Sequence, residues 1–281
     1  MNQWQRLSSC AWAICIAVLA SCSAPRTPAE SVAGEPSARL KPDSRLPDAI
    51  RSNTGLTMIP VPHGTFRMGT PGRPAWEKPH VVLITRPYWI AETEVTQHQW
   101  FQVMRTQPWI DGRVVGDDLP AVNVSWHEAV DFCAKLDKRE RALGKIPEGY
   151  AIKLPSEAEW EKACRAGSTS SFCFGDDWEQ LSEYAVWRGN SNHLADPVKS
   201  KKPNAYGLYD MHGNVWEWCA DAFDSELADS TDPLRKQGDV RSRRGGSADC
   251  GAKLCRSAQR DCNSPTRAYL YIGFRPALVQ R

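Results

Sequence analysis

Charge of one sign is scarce in this sequence: 35 Lys and Arg stand against 33 Asp and Glu in 281 residues, a formal net charge of +2. That balance argues against nucleic acid as a partner, because such binders carry a concentrated basic excess. Histidine is scarce too, with six scattered residues and no metal-ligand pair. His127-Glu128 would open a zinc-protease helix only if a second His stood at Asp131. No glycine-rich phosphate loop and no nucleophile-elbow serine is present, so the common hydrolase classes find no support. Long apolar runs are missing as well. The run over residues 11–20 is about half of the ~20 residues a membrane-crossing helix needs.

What is present is enough apolar residue, 41%, to fill a core, and 12 Trp against seven Tyr and seven Phe. That balance points to a fold held by scattered indoles rather than by long aliphatic helices. The short apolar run near the start reads as the h-region of a signal peptide over 1–21. Leu19-Ala20-Ser21-Cys22 resembles a bacterial lipobox, which implies lipidation of Cys22, a periplasmic location and a membrane anchor. Ser23 in place of Asp resembles the sorting signal for the outer membrane. Residues 22–55 are rich in Pro, Ala, Ser and Arg without an apolar period, and read as a lipidated Cys and flexible tether. Residues 56–281 make the folded domain.

Three helix starts share one signature, a Ser or Thr followed three residues later by Glu or Gln: Thr96 with Gln99, Ser125 with Glu128, and Ser156 with Glu159. They predict helices over 97–105, 126–143 and 157–166. In the second, Ala129, Phe132, Cys133 and Leu136 recur at helical spacing and should face the core. Residues 57–68 and 80–90 alternate as strands do, and Pro and Gly punctuate the rest. The class is α+β, with short helices, short strands and much loop. The basic runs Lys199, Lys201, Lys202 and Arg241, Arg243, Arg244 read as wet loop faces.

Several motifs in order then resemble the sulfatase-modifying factor family, which includes the formylglycine-generating enzymes. They begin with Met58-Ile59-Pro60 and Gly64-Thr65-Phe66-Arg67-Met68-Gly69, then Glu92-Thr93-Glu94-Val95-Thr96 and Asn123-Val124-Ser125-Trp126. Leu154-Pro155-Ser156-Glu157-Ala158-Glu159-Trp160-Glu161 and Gly213-Asn214-Val215-Trp216-Glu217-Trp218 follow, and Arg244-Gly245-Gly246-Ser247 and Ile272-Gly273-Phe274-Arg275 close the series. The resemblance implies one C-type-lectin-like domain. It also implies a structural calcium site at Asp210, Gly213, Val215 and Glu217, the middle two through backbone oxygen, which suits an ion that takes six to eight oxygens. The alternative is that Asp210 caps a turn and Glu217 pairs with an Arg such as Arg244.

Ten Cys in an exported chain point to an oxidising compartment. With Cys10 and Cys15 in the signal and Cys22 lipidated, seven remain, an odd number that leaves one thiol over. In the enzymes this family resembles, two Cys five positions apart hold Cu(I), a soft ion suited to thiolates. Counted forward from Arg244-Gly245-Gly246-Ser247, those places fall on Cys250 and Cys255, with Ser247 and Trp216 shaping a catalytic groove. Counted backward from Ile272-Gly273-Phe274-Arg275, the loop is shorter, and the resemblance instead implies a Cys164–Cys255 disulfide, with Cys219 and Cys250 as a further pair. The expected function is a lipid-anchored module that binds and regulates another envelope protein, for example in a type VI secretion signalling pathway. The alternatives are a copper-dependent oxidase converting a protein cysteine to formylglycine, and a maturation factor for a siderophore such as pyoverdine.

Overall fold

The computed structural model describes residues 48–109 and 115–281. Its contacts divide the chain into residues 1–36 and 37–281, and every described residue belongs to the second unit. The signal peptide, Cys22 and most of the tether lie outside the described residues.

In chain order the strands are β1 (Ile50–Arg51), β2 (Thr57–Val61), β3 (Gly64–Met68), β4 (His80–Ile84), β5 (Tyr88–Ala91) and β6 (Tyr150–Lys153). Then come β7 (Trp216–Ala222), β8 (Ser230–Thr231), β9 (Arg241–Arg244), β10 (Arg260–Asn263), β11 (Ile272–Gly273) and β12 (Ala277–Gln280). They form a five-stranded sheet β1-β2-β5-β12-β6, a four-stranded sheet β10-β9-β7-β11 and a three-stranded sheet β3-β4-β8.

The two stretches that alternate in the sequence each break in the middle. Pro62-His63 interrupts the first, and Thr85-Arg86-Pro87 the second. Proline cannot donate to a ladder, so each stretch leaves one sheet there and enters another. β2 and β5 pair in the large sheet, and β3 and β4 pair in the small one. The fold also begins ahead of the expected boundary at residue 56. β1 pairs antiparallel with β2, and the loop between them closes on Ser52, whose Oγ lies 2.7 Å from Thr54 Oγ1 and accepts the Leu56 N–H at 3.1 Å. Local polar bonding thus folds a segment whose composition reads as tether.

The helices are α1 (Gln97–Met104), α2 (Trp126–Ala142), α3 (Glu157–Arg165) and the one-turn α4 (Leu181–Tyr184). Thr96, Ser125 and Ser156 each cap their helix in a reciprocal capping box with Gln99, Glu128 and Glu159. Each of the first three helices stops one residue short of its expected end. Arg105 and Ala166 take left-handed conformations (φ 60° and 46°) and terminate α1 and α3. The core face of α2 is as expected: Ala129, Phe132, Cys133 and Leu136 are buried. Phe132 stacks on Trp100 of α1 at 5.6 Å and meets Phe274 edge-on at 5.2 Å. Indoles fill the other gaps, with Trp160 and Trp218 fully buried and their N–H groups bonded to Glu217 and the Val124 carbonyl.

Candidate functional site

The candidate site grows from the end of β9. Arg244 is buried and points inward, where its Nη2 lies 2.5 Å from Glu161 of α3 and its Nη1 donates to the Ser257 and Gln259 carbonyls. Beyond it Gly245 and Gly246 take positive φ (96° and 79°). A Cβ on Gly246 would sit 2.8 Å from the Leu254 carbonyl and 2.9 Å from Cys255 Sγ, so only glycine admits this approach. The turn therefore packs directly on the second cysteine of the loop.

Ser247 Oγ lies 3.3 Å from Cys250 Sγ, and the Cys250 N–H donates to the Ser247 carbonyl at 2.8 Å. A short 3₁₀ turn, Ala252–Leu254, then carries the chain to Cys255. Cys250 is buried and Cys255 has no exposed surface. Burial, and then the neighbouring Cys250, push the Cys255 thiol well above its ordinary range. The structure thus brings Ser247 and Cys250 together and packs Cys255 beneath them. Trp216 opens β7, one residue before the Glu217–Arg244 register pair, and is buried under the Arg243 guanidinium at 4.9 Å.

His212, which sequence reasoning left among the scattered histidines, sits under this loop. Its Nδ1 is 2.8 Å from the Cys255 carbonyl, and Nε2 accepts the Cys173 N–H at 3.1 Å. Those partners fix the proton on Nδ1. Burial lowers its pKa to about 4, so the ring stays neutral. Cys164 Sγ rests 3.9 Å from the same ring. Burial pushes the Cys164 thiol up to about 12. The seven cysteines of the described residues are unbridged in the structure, Cys164, Cys255, Cys219 and Cys250 included.

The second candidate site is oxygen-rich. Asp210 and Asn214 hold left-handed backbone (φ 61° and 57°), and a Cβ on Gly213 would strike the Val186 carbonyl at 2.2 Å. Asp210 Oδ2 accepts the Lys199 N–H at 2.9 Å, while Oδ1 is buried and unpartnered. Beside it Glu94 is fully buried, with the Asp210 carboxyl as its polar neighbour and no donor for either carboxylate oxygen among the described residues. Burial pushes Asp210 up to about 6, and burial followed by the Asp210 charge raises Glu94 well above its usual value. Glu217 is engaged by side chains of the protein itself. Its carboxylate takes two bonds from Arg275 at 2.7 Å and one from Trp160 Nε1 at 2.8 Å. Its arginine is Arg275, whereas the carboxylates that pair with Arg244 are Glu157 and Glu161 of α3.

Three orphaned carboxylate oxygens fit a hard, oxygen-seeking cation such as calcium. Asp210 and Glu94 would supply side-chain oxygen, Gly213 and Val215 backbone oxygen, and Glu217 any lone pairs Arg275 and Trp160 leave. Glu94 stands in a motif that marked the family, but its part here was not legible, because it lies far from Asp210 along the chain. No group of three His, Cys, Asp or Glu among the described residues is arranged to hold a metal by side chains alone.

Residues 44–279 match the family described as the sulfatase-modifying factor enzyme 1-like domain. The chain is 30% identical over 231 residues to the formylglycine-generating enzyme of Thermomonospora curvata, covering 74% of this chain and 68% of that protein. It spans 60% and 44% of the lengths of the Streptomyces coelicolor and Mus musculus enzymes. Among solved structures, Treponema denticola variable protein 1 superposes with a TM-score of 0.74 at 29% identity, over 83% of this chain and 99% of that one. PvdO from Pseudomonas aeruginosa gives 0.71 at 27% identity, over 84% and 99%. The motifs that interlock across these sheets are thus a shared architecture, and the chain belongs to the sulfatase-modifying factor family.

Proposed function

We propose that this protein is an envelope lipoprotein, anchored through Cys22 to the outer membrane and facing the periplasm. Its sulfatase-modifying factor domain acts there as a binding and regulatory module for another envelope protein, as in a type VI secretion signalling pathway. The observation that carries this reading is the burial of both loop cysteines. A reactive or metal-binding cysteine works as thiolate in an accessible, electropositive setting. Cys255 has no exposed surface and Cys250 is buried, so the loop is built as packing. Calcium at Asp210, Glu94 and the Gly213–Val215 backbone would neutralise two buried carboxylates and stiffen the loop that leads into β7.

A second reading is favoured by one contact, Ser247 Oγ at 3.3 Å from Cys250 Sγ. In an oxidase, Cys250 and Cys255 would hold Cu(I), which supplies oxygen activation for converting a protein cysteine to formylglycine. Ser247 would orient the Cys250 sulfur, whereas Trp216 lies buried under Arg243 and walls no open groove.

A mass-spectrometric disulfide map of the acid-quenched native protein separates the two readings. Cys250 or Cys255 bridged to a distant cysteine supports the module. Both free, or joined only to each other, with tight Cu(I) binding to the reduced protein, would sink it in favour of the oxidase.

A further inference from the structure

Trp178 is the most exposed of the large aromatic side chains among the described residues, at 54%. It stands on the wall of a surface groove of about 560 Å³. Its apolar lining is Phe172, Ala252 and Leu254, the last two from the short turn between Cys250 and Cys255. The rest of the lining carries four cations. Arg188 is engaged by Asp249 at 3.5 Å, and Arg256 by both oxygens of Glu77 at 2.9 and 3.0 Å. Asp176, the acid of the lining, accepts the Ser171 N–H at 2.8 Å. Two exposed cations of the lining, Arg73 and Lys253, have no carboxylate partner among the described residues.

We propose that this groove docks an extended segment of a partner polypeptide that carries an Asp or Glu beside a large apolar side chain. Charge complementarity selects the acid, since the two unpaired cations share the lining with apolar side chains that would take its neighbour. Tryptophan and arginine are the residue types that most often dominate binding energy at such contacts. Trp178 is also partly pre-positioned. It meets Trp187 edge-on at 6.3 Å, and the Trp187 N–H is tied to Ser182 Oγ at 3.1 Å. Less rotamer freedom is then lost on binding. The groove goes beyond the regulatory reading, because it would serve an oxidase as a substrate-anchoring exosite equally well.

The test pans a random dodecapeptide library displayed on phage against the full chain, then measures the selected peptides by fluorescence anisotropy. Enrichment of an acidic residue next to an aromatic or aliphatic one is expected. Trp178→Ala should weaken binding roughly tenfold or more. The double change Arg73→Glu and Lys253→Glu should shift the selection to basic peptides. All these side chains are exposed, and a melting curve for each variant checks that the fold is kept. Peptides that bind the variants as tightly as the parent would overturn the proposal, as would no enrichment at all. So would displacement of the selected peptides by anionic phospholipid vesicles that bind through Lys253. None of these outcomes alters the disulfide map, so failure of the groove and failure of the regulatory reading are told apart.

Discussion

At the scale of single residues, the motifs that identify this chain are chiefly partners for one another. Arg244 of Arg-Gly-Gly-Ser reaches Glu161 of the Glu-Ala-Glu-Trp-Glu run, and Arg260 reaches Glu157 of the same run at 2.5 and 2.6 Å. Arg275 of Gly-Phe-Arg closes on Glu217, which also accepts the Trp160 N–H. Each pair is buried, so its charges lean on their partner rather than on water. Burial opposes ionisation of Glu157, yet Arg244 and Arg260 hold its carboxyl down at about 2. Arg275→Met should therefore cost about 3–5 kcal/mol, because it leaves Glu217 charged, buried and answered only by Trp160. Urea denaturation measures this, and a loss below about 1 kcal/mol would mean that the pair is incidental.

At the scale of elements, α3 carries most of this traffic, and its N-terminus has an unusual guest. Asp221 of β7 is buried there and accepts the Glu157 N–H at 2.7 Å and the Arg235 N–H at 2.9 Å. A helix N-terminus favours a carboxylate. Burial and the charge of Glu157 nevertheless push Asp221 up to about 7. The folded pKa lies above the unfolded one, so the native state binds a proton that the unfolded state releases. The contribution of Asp221 to stability is present in full below about pH 4 and is lost as pH rises through about 7. Asp221→Asn keeps an acceptor and removes the titration. Its melting temperature should rise relative to the parent between about pH 5 and pH 8. A constant difference across that range would show that Asp221 does not titrate there.

At the scale of the whole molecule, the pair Glu94 and Asp210 joins distant parts of the chain. Glu94 follows β5 of the large sheet, whereas Asp210 lies in the loop that enters β7 of the four-stranded sheet. Two like charges buried side by side strain that junction unless a cation or a proton sits between them. Added calcium should raise the melting temperature of chelator-treated protein, by about 2.7 kcal/mol of stability at a hundredfold excess over Kd. Glu94→Gln should abolish most of the calcium response and, in chelator, leave the protein no less stable than the parent. A parent whose melting curve ignores calcium would remove the site.

The sequence by itself determined the family, the three capped helices and their core faces. Those features are local: a capping box spans three residues, and an apolar stripe repeats every turn. The Arg-Gly-Gly-Ser, Gly-Phe-Arg and Glu-Ala-Glu-Trp motifs were legible as strings, and so was Asp210 as an acid in a glycine turn. Their partners were not. The spacing of Cys250 and Cys255 matched a copper pair, but spacing does not report that Gly246 lies against Cys255 Sγ or that His212 holds the Cys255 carbonyl from below. Likewise Glu217 carries the right charge for a cation ligand, and only packing turns it toward Arg275 and leaves Glu94 and Asp210 to face each other unpaired. Tertiary structure decided these points because burial makes the charge state and reactivity of a side chain depend on what the rest of the chain places within a few ångströms of it.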